Sequence, residues 1–398
     1  MQNDSGKQRY AVTDYLYWGM MLFVNVPNLL ELVGIDTMFK PYRVIALVIC
    51  AFVWPKFVRE AAVTRQFSRL LFAAIFYGSI VTVLFGGRDM LANVPLIGSI
   101  LILYVATFGV TSRRSLIIGL YASVVSFIVS AYFGLLAFNQ GEYRLSGLFE
   151  NPNAIGFGGC FVLLIVINRN LVIPNGVRLA VAVGLIPIMV LTGSRNALVG
   201  MVGCFMSQTW RNPRLFNGLL ITGLVIAGVS LYFEKEISRI TQRAVFTRLT
   251  NRDVIARGGA GRIAVASAAL QVGYEHGFVG IGFGQYREKY HTKFFRERRT
   301  DGTLRKLGSH NFYVTLLTEW GFFGFCCFAL MMYRLAKATE GMGLERDFVI
   351  GFLAVSMLNS LGNDMVGMIH FWVMLGVCVQ FIRFAHEDEL AWQPYQNA

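Results

Sequence analysis

The sequence predicts an all-α polytopic membrane protein of about twelve transmembrane helices with one large hydrophilic loop between the ninth and tenth, and three observations carry that prediction. Of 398 residues, 55% are hydrophobic and 15% charged, against about 25% charged in an ordinary soluble domain. Apolar runs of the length a bilayer core requires, roughly 20 residues, recur about twelve times. One long stretch, residues 234–309, is hydrophilic.

The chain opens on fourteen polar residues (MQNDSGKQRYAVTD), and no small-residue cleavage site follows the first apolar run. No cleavable signal peptide is expected, and that run stays as a helix. The spans centre on 15–34, 37–55, 68–87, 91–111, 115–138, 153–169, 177–193, 195–210 and 217–233 before the loop, and on 311–335, 347–363 and 364–384 after it. The last two meet at Gly362-Asn363-Asp364. This divides the chain into 1–233 (nine helices), 234–309 (the loop) and 310–398 (three helices and a short tail).

Lys and Arg in short loops mark the cytoplasmic side. With Lys7 and Arg9 inside, Arg59 and Arg65, Arg113-Arg114, Arg169, Arg211, Arg334, Lys337, Arg346 and Arg383 all fall inside as well. Both termini are then cytoplasmic. The loop 234–309 falls outside with fifteen Lys and Arg against seven Asp and Glu. Long loops translocate largely regardless of charge, so its basic balance points to an acidic partner at the outer surface. No nucleic-acid motif is present. Within the loop, Glu234 to Arg252 reads as an amphipathic helix on the membrane, Gly258-Gly259-Ala260-Gly261 as a flexible break, and Arg262 to Tyr274 as a second helix. Gly277 to Gly284 (GFVGIGFG) is a tight turn, a structural element before it is a phosphate cradle. The six cysteines fall in apolar runs with neither disulfide nor zinc spacing, which suits small core residues.

Where the loop re-enters the apolar part stand His310-Asn311, nine residues, Gly321, two residues and Gly324 (HNFYVTLLTEWGFFG). On one helix, His310, Val314, Leu317, Gly321 and Gly324 fall within about 40° of one line, with Glu319 opposite. The spacing predicts a closely packed helix topped by His310. Three further strings stand upstream: Arg144-Leu145-Ser146-Gly147 with Asn151-Pro152-Asn153, then Thr192-Gly193-Ser194-Arg195-Asn196, then Gly261-Arg262 with Gly280-Ile281-Gly282-Phe283-Gly284. Taken alone, each Arg suits an interfacial charge that snorkels to headgroups. Together, Arg144, Arg195, Arg262 and His310 come to one outer face, where few carboxylates could pair them. A cation near the membrane needs pairing or solvation, and a diphosphate can take several guanidinium forks. Arg88, after Gly86-Gly87, shares that side. Asn153 could orient a sugar or cap a helix, the commoner use. His276 and His291 read as solvated loop residues, and His370 as a polar packing residue with a possible link to Asp364. No DxD, paired-carboxylate or His-cluster signature calls for a metal or other cofactor.

In this order the strings resemble the motifs of the O-antigen ligases, over residues 144 to 324. The resemblance implies a GT-C-like glycosyltransferase of the bacterial inner membrane with a periplasmic active site. It also implies a glycan donor on undecaprenyl pyrophosphate and an acceptor hydroxyl on lipid A-core. The catalytic role then falls on His310, and Arg144, Arg195, Arg262, Arg88 and Asn153 are the residues expected to bind the diphosphate and substrate. A neutral His beside arginines suits direct, inverting displacement, the acceptor proton going to the imidazole and the leaving charge to the arginines. The alternatives are an O-antigen polymerase of the same superfamily and a secondary transporter, although no repeat relates the two halves.

Overall fold

The computed structural model describes residues 10–30, 40–59, 62–85, 90–139, 145–149, 151–168, 173–209, 214, 252–294, 307–343 and 345–396. For residues 56, 58, 59, 62, 63, 90–96, 208, 209, 252–260 and 388–396 it describes the backbone alone. Every regular element among them is helical, and no strand occurs. In chain order these are α1 (Val12–Val24), α2 (Pro41–Arg59), α3 (Ala62–Phe85), α4 (Met90–Ala106), α5 (Arg113–Asn139), α6 (Pro152–Ile167), α7 (Asn175–Leu191), α8 (Arg195–Thr209), α9 (Arg252–Glu275), α10 (Phe312–Glu319), α11 (Gly321–Lys337), α12 (Glu345–Ser360) and α13 (Ile369–Gln396).

Three of these contain a stretch long and apolar enough to cross a membrane, by length and composition: Thr64–Phe85, Arg113–Asn139 and Ile369–Glu387. Pro41–Pro55, Ile97–Gly109, Pro152–Ile167 and Asn175–Leu191 are apolar but shorter. The expected twelve spans, and the GT-C-like architecture built on them, are thereby corrected. Hydropathy registers apolar residues and is blind to breaks in the backbone. Gly321 at φ +70° divides the apolar run 311–335 into α10 and α11, while the break at Gly193, φ +59°, stands where the expected spans 177–193 and 195–210 already meet. Both angles are in the left-handed region that glycine enters without penalty. The expected span 217–233 lies outside the described residues, as does the amphipathic segment 234–252 but for its last residue. Gly258 to Gly261 is helical, inside α9, and not a break.

The apolar side chains segregate as a bundle in lipid would require. Phe76, Val83, Leu84 and Leu179 are exposed, while the apolar stretch of α13, Ile369–Glu387, is largely buried. A helix that is apolar all round and buried is the core of a bundle, and α13 packs on α3, α4, α5, α6 and α12.

Polar contacts fix which ends of the helices meet. α1 and α5 run side by side in the same direction. Thr111 N–H and Oγ1 donate to the Asp14 carboxylate at 2.9 and 2.6 Å, Trp18 Nε1 donates to Ser115 O at 2.9 Å, and Asn25 Nδ2 donates to Ser123 O at 2.8 Å. Arg113 at the start of α5 is ion-paired with Glu345 at the start of α12, and Arg383, well along α13, donates to Val110 O at 3.0 Å. Asp14, Arg113, Glu345 and Arg383 therefore mark one end of the bundle. About 24 Å along α12, at 1.5 Å per residue, Leu361 to Asp364 lie at the other end. Between the ends is a buried polar contact, His370 Nε2 to Asn25 Oδ1 at 2.7 Å, with Ser123 and Ser126 on the Asn25 amide. His370 thus takes its partner from α1, in place of the expected link to Asp364.

Candidate functional site

The His310 motif does not fold as one helix. α10 begins only at Phe312, because Asn311 caps it: its Oδ1 accepts from Val314 N–H at 3.1 Å, the preferred role of Asn before a first turn. His310 stands outside the helix at φ +53°, half-buried. The stripe expected from His310 through Gly321 to Gly324 is therefore broken at both ends. Gly321 is glycine for two reasons: its φ, and the Val279 O that would stand 2.2 Å from any Cβ there. A Cβ on Gly324 would meet Trp320 Cβ at 2.8 Å.

What passes Gly321 is the glycine-rich turn after α9. Ile281 N–H donates to Thr318 O and Gly282 N–H to Glu319 O, each at 3.0 Å, and Phe322 N–H donates back to Phe278 O at 2.8 Å. These bonds satisfy carbonyls that the end of α10 leaves free. The buried Glu319 carboxylate then accepts from Gly284 N–H at 2.8 Å and Tyr286 N–H at 3.2 Å, and Thr82 Oγ1 accepts from Phe283 N–H at 2.8 Å. The N–H groups a phosphate would need are occupied. This turn is a clasp on the helix break, built by two of the sequence motifs together.

At the far side of α10, Asn311 Nδ2 donates to Leu361 O at 3.2 Å. The next residue, Gly362, packs so closely on α8 that a Cβ would stand 2.4 Å from Asn196 Oδ1. The loop 361–364 thus bridges the residue after His310 to the residue after Arg195. Burial pushes the Asp364 carboxyl up, to about 6, against the bonds it accepts from Val366 N–H and Thr315. The Ser-Arg turn in its own right is held by Thr192 Oγ1, which accepts from Ser194 N–H at 3.1 Å. Its neighbours are the remaining motif. Leu145 N–H donates to Leu191 O at 3.1 Å, and a Cβ on Gly156 of α6 would touch Ala197 Cβ at 2.8 Å. Asn151 caps α6 by accepting from Asn153 N–H at 2.8 Å, so the cap is Asn151 and Asn153 is the second helical residue.

Arg262 reaches the same region by helix register. Thr318 Oγ1 of α10 donates to Ala269 O of α9 at 3.1 Å, and both helices end at the clasp, so they run in the same direction. From that contact Arg262 is seven residues back, about 10 Å, and the first residue of α10, Phe312, is six back, about 9 Å, with His310 just beyond it. Val265, Val314 and Leu307 share one small apolar cluster at that level. Arg195, Asn153, Arg262 and His310 are therefore all at the end of the bundle opposite the Arg113–Glu345 pair. Arg144 and Arg88 lie outside the described residues.

One expectation changes and several residues come into view. His276 is held by Val272 O at 2.9 Å, Tyr290 OH at 3.3 Å and the edge of Phe85, not solvated. Ser309, Thr315 and the loop 361–364 had no motif to announce them. The break at Gly362-Asn363-Asp364 was the one visible sign. Among the described residues, no three His, Cys, Asp or Glu side chains converge as a metal-ligand set.

No curated protein matches the chain. A family model does: it covers residues 179–329 and so includes Arg195, Arg262, the clasp turn and the His310 motif, while the strings at 144–153 and the loop 361–364 fall outside it. That family is O-antigen ligase, so the chain, helical and with three candidate membrane spans among its described residues, matches the O-antigen ligase family model over residues 179–329, in agreement with the resemblance of its motifs.

Proposed function

We propose that the protein transfers a glycan from undecaprenyl pyrophosphate to a sugar hydroxyl of lipid A-core, on the periplasmic face of the inner membrane. His310 takes the proton of the acceptor hydroxyl as it attacks the anomeric carbon, which inverts, and the glycosyl–phosphate bond breaks. Arg195 and Arg262, with Arg144 and Arg88, receive the charge of the departing diphosphate, and guanidinium forks supply there what a metal ion supplies in other transferases. Asn153, beside the Ser-Arg turn, contributes to the sugar side. No cofactor enters the scheme.

The observation that supports this reading best is the bridge at 361–364, with Leu361 O on Asn311 and Gly362 on Asn196. A base and a phosphate-binding guanidinium act on one bond only if the fold holds them at a fixed spacing, and this loop joins their immediate neighbours. The test is transfer by the purified protein from lipid-linked donor to lipid A-core. His310→Ala should lower kcat by about 10² to 10⁴, and undiminished transfer by a folded His310→Ala protein defeats the reading. Arg195→Lys and Arg262→Lys should each lose about tenfold or more, because a point charge does not reproduce the fork. Donor alone distinguishes the polymerase, which would lengthen the lipid-linked glycan without acceptor.

A further inference from the structure

Two described residues other than glycine have positive φ, Phe278 and His310. His enters the left-handed region more readily than a β-branched residue, yet the conformation is unfavourable unless the surroundings impose it. At His310 the surroundings are two hydroxyls. Ser309 Oγ accepts from Asn311 N–H at 3.2 Å and donates to Asn311 O at 2.8 Å, which ties together the residues on either side of His310. Thr315 Oγ1 lies 2.6 Å from Ser309 Oγ. Either hydroxyl can be the donor of that bond, and the Thr315 hydroxyl is also hydrogen-bonded to the Asp364 carboxyl. Thr315 N–H also reaches Asn311 O, at 2.9 Å. Ser309 and Thr315 are each 3% exposed, so water does not compete for these bonds. The backbone of His310 is pinned from within, and its side chain is the part left half-buried at the end of the bundle.

We propose that Ser309 and Thr315 are positioning residues, a buried hydroxyl pair that imposes the left-handed backbone of His310 and thereby sets the imidazole for the transfer step. The catalytic part rests on His310 being the base; the conformational part does not. Neither hydroxyl touches substrate. Their effect passes through one backbone unit, where an error of about 1 Å can cost on the order of a hundredfold in rate.

The test compares Thr315→Val, which keeps the shape and removes the hydroxyl, with Thr315→Ser, which keeps the hydroxyl and loses a methyl. Each is assayed as folded, full-length protein with lipid-linked donor and lipid A-core, and the rate of His310 carbethoxylation by diethyl pyrocarbonate is followed by peptide mass spectrometry. Thr315→Val should lower kcat about tenfold or more with both KM values within about twofold, and change the carbethoxylation rate about threefold or more. Thr315→Ser should match the parent in both. Parental kcat and parental carbethoxylation in Thr315→Val overturn the proposal, and so does an equal defect in Thr315→Ser, which would assign the effect to packing. An active His310→Ala protein removes the base role on its own, and the carbethoxylation contrast between the two Thr315 variants still decides whether the hydroxyl sets the imidazole.

Discussion

At the scale of single residues, the site depends on backbone angles that side-chain patterns do not announce. Gly321 combines φ +70° with a carbonyl 2.2 Å from any added Cβ. Gly321→Ala should therefore destabilise by about 2 kcal/mol or more, visible as a lower melting temperature in detergent, whereas Gly308→Ala, with open space around it, should be silent in stability. The identity of the His310 motif was legible in the sequence because it is local: fixed residue types at fixed spacing. Its conformation was not legible. A helical wheel assumes one continuous helix, and the pinning of His310 depends on Thr315 turning back one helical turn to meet Ser309. Asn153 illustrates the same limit on a smaller scale, since Asn151 and Asn153 are equally good caps by type and only the chain direction at Pro152 selects between them.

Among the elements, the clasp between the turn 277–284 and the α10–α11 break explains why a carboxylate stands in an apolar stretch. Glu319 serves two backbone N–H groups, that of Tyr286 buried and that of Gly284 partly so. Glu319→Ala should cost about 1 to 3 kcal/mol, because the buried donor is left unsatisfied, and the loss should appear as melting at lower temperature with early proteolysis at 277–284. Glu319→Gln keeps one acceptor and should lie between. The sequence showed each partner of the clasp separately and gave no sign that they meet. A glycine-rich turn reads as structural before it reads as a phosphate cradle, but what it holds is visible only once its N–H groups are traced. The twelve apolar runs fail for a related reason: length in residues becomes length in ångströms only where the backbone stays helical, and at Gly321, inside the run 311–335, it does not.

For the whole molecule, the described residues sort to two ends of the bundle. Arg113, Arg383 and the α11 terminus with Arg334 and Lys337 belong with Glu345, while His310, Arg195, Arg262 and Asn153 are grouped at the opposite end. That grouping was within reach of sequence because charge asymmetry is a property of the entire chain, robust to errors in individual helices. Our functional reading puts the His310 end in the periplasm. In a background with the six native cysteines replaced, Gly308→Cys should react with a membrane-impermeant maleimide in intact spheroplasts, and Gly343→Cys only after lysis. The reverse pattern would invert the proposed sidedness.

The contact between His370 and Asn25 joins residues 345 positions apart, and this has a consequence for how the protein is made. Asn25 leaves the ribosome 345 residues before His370, so from the emergence of Ser123 and Ser126 until that of His370 the Asn25 amide lacks its last partner. The bundle around α1 and α5 waits, partly satisfied, for a helix not yet translated. Chains interrupted before Ile369 would hold an unfinished polar contact in an apolar interior, a mark by which quality control could distinguish them from complete molecules.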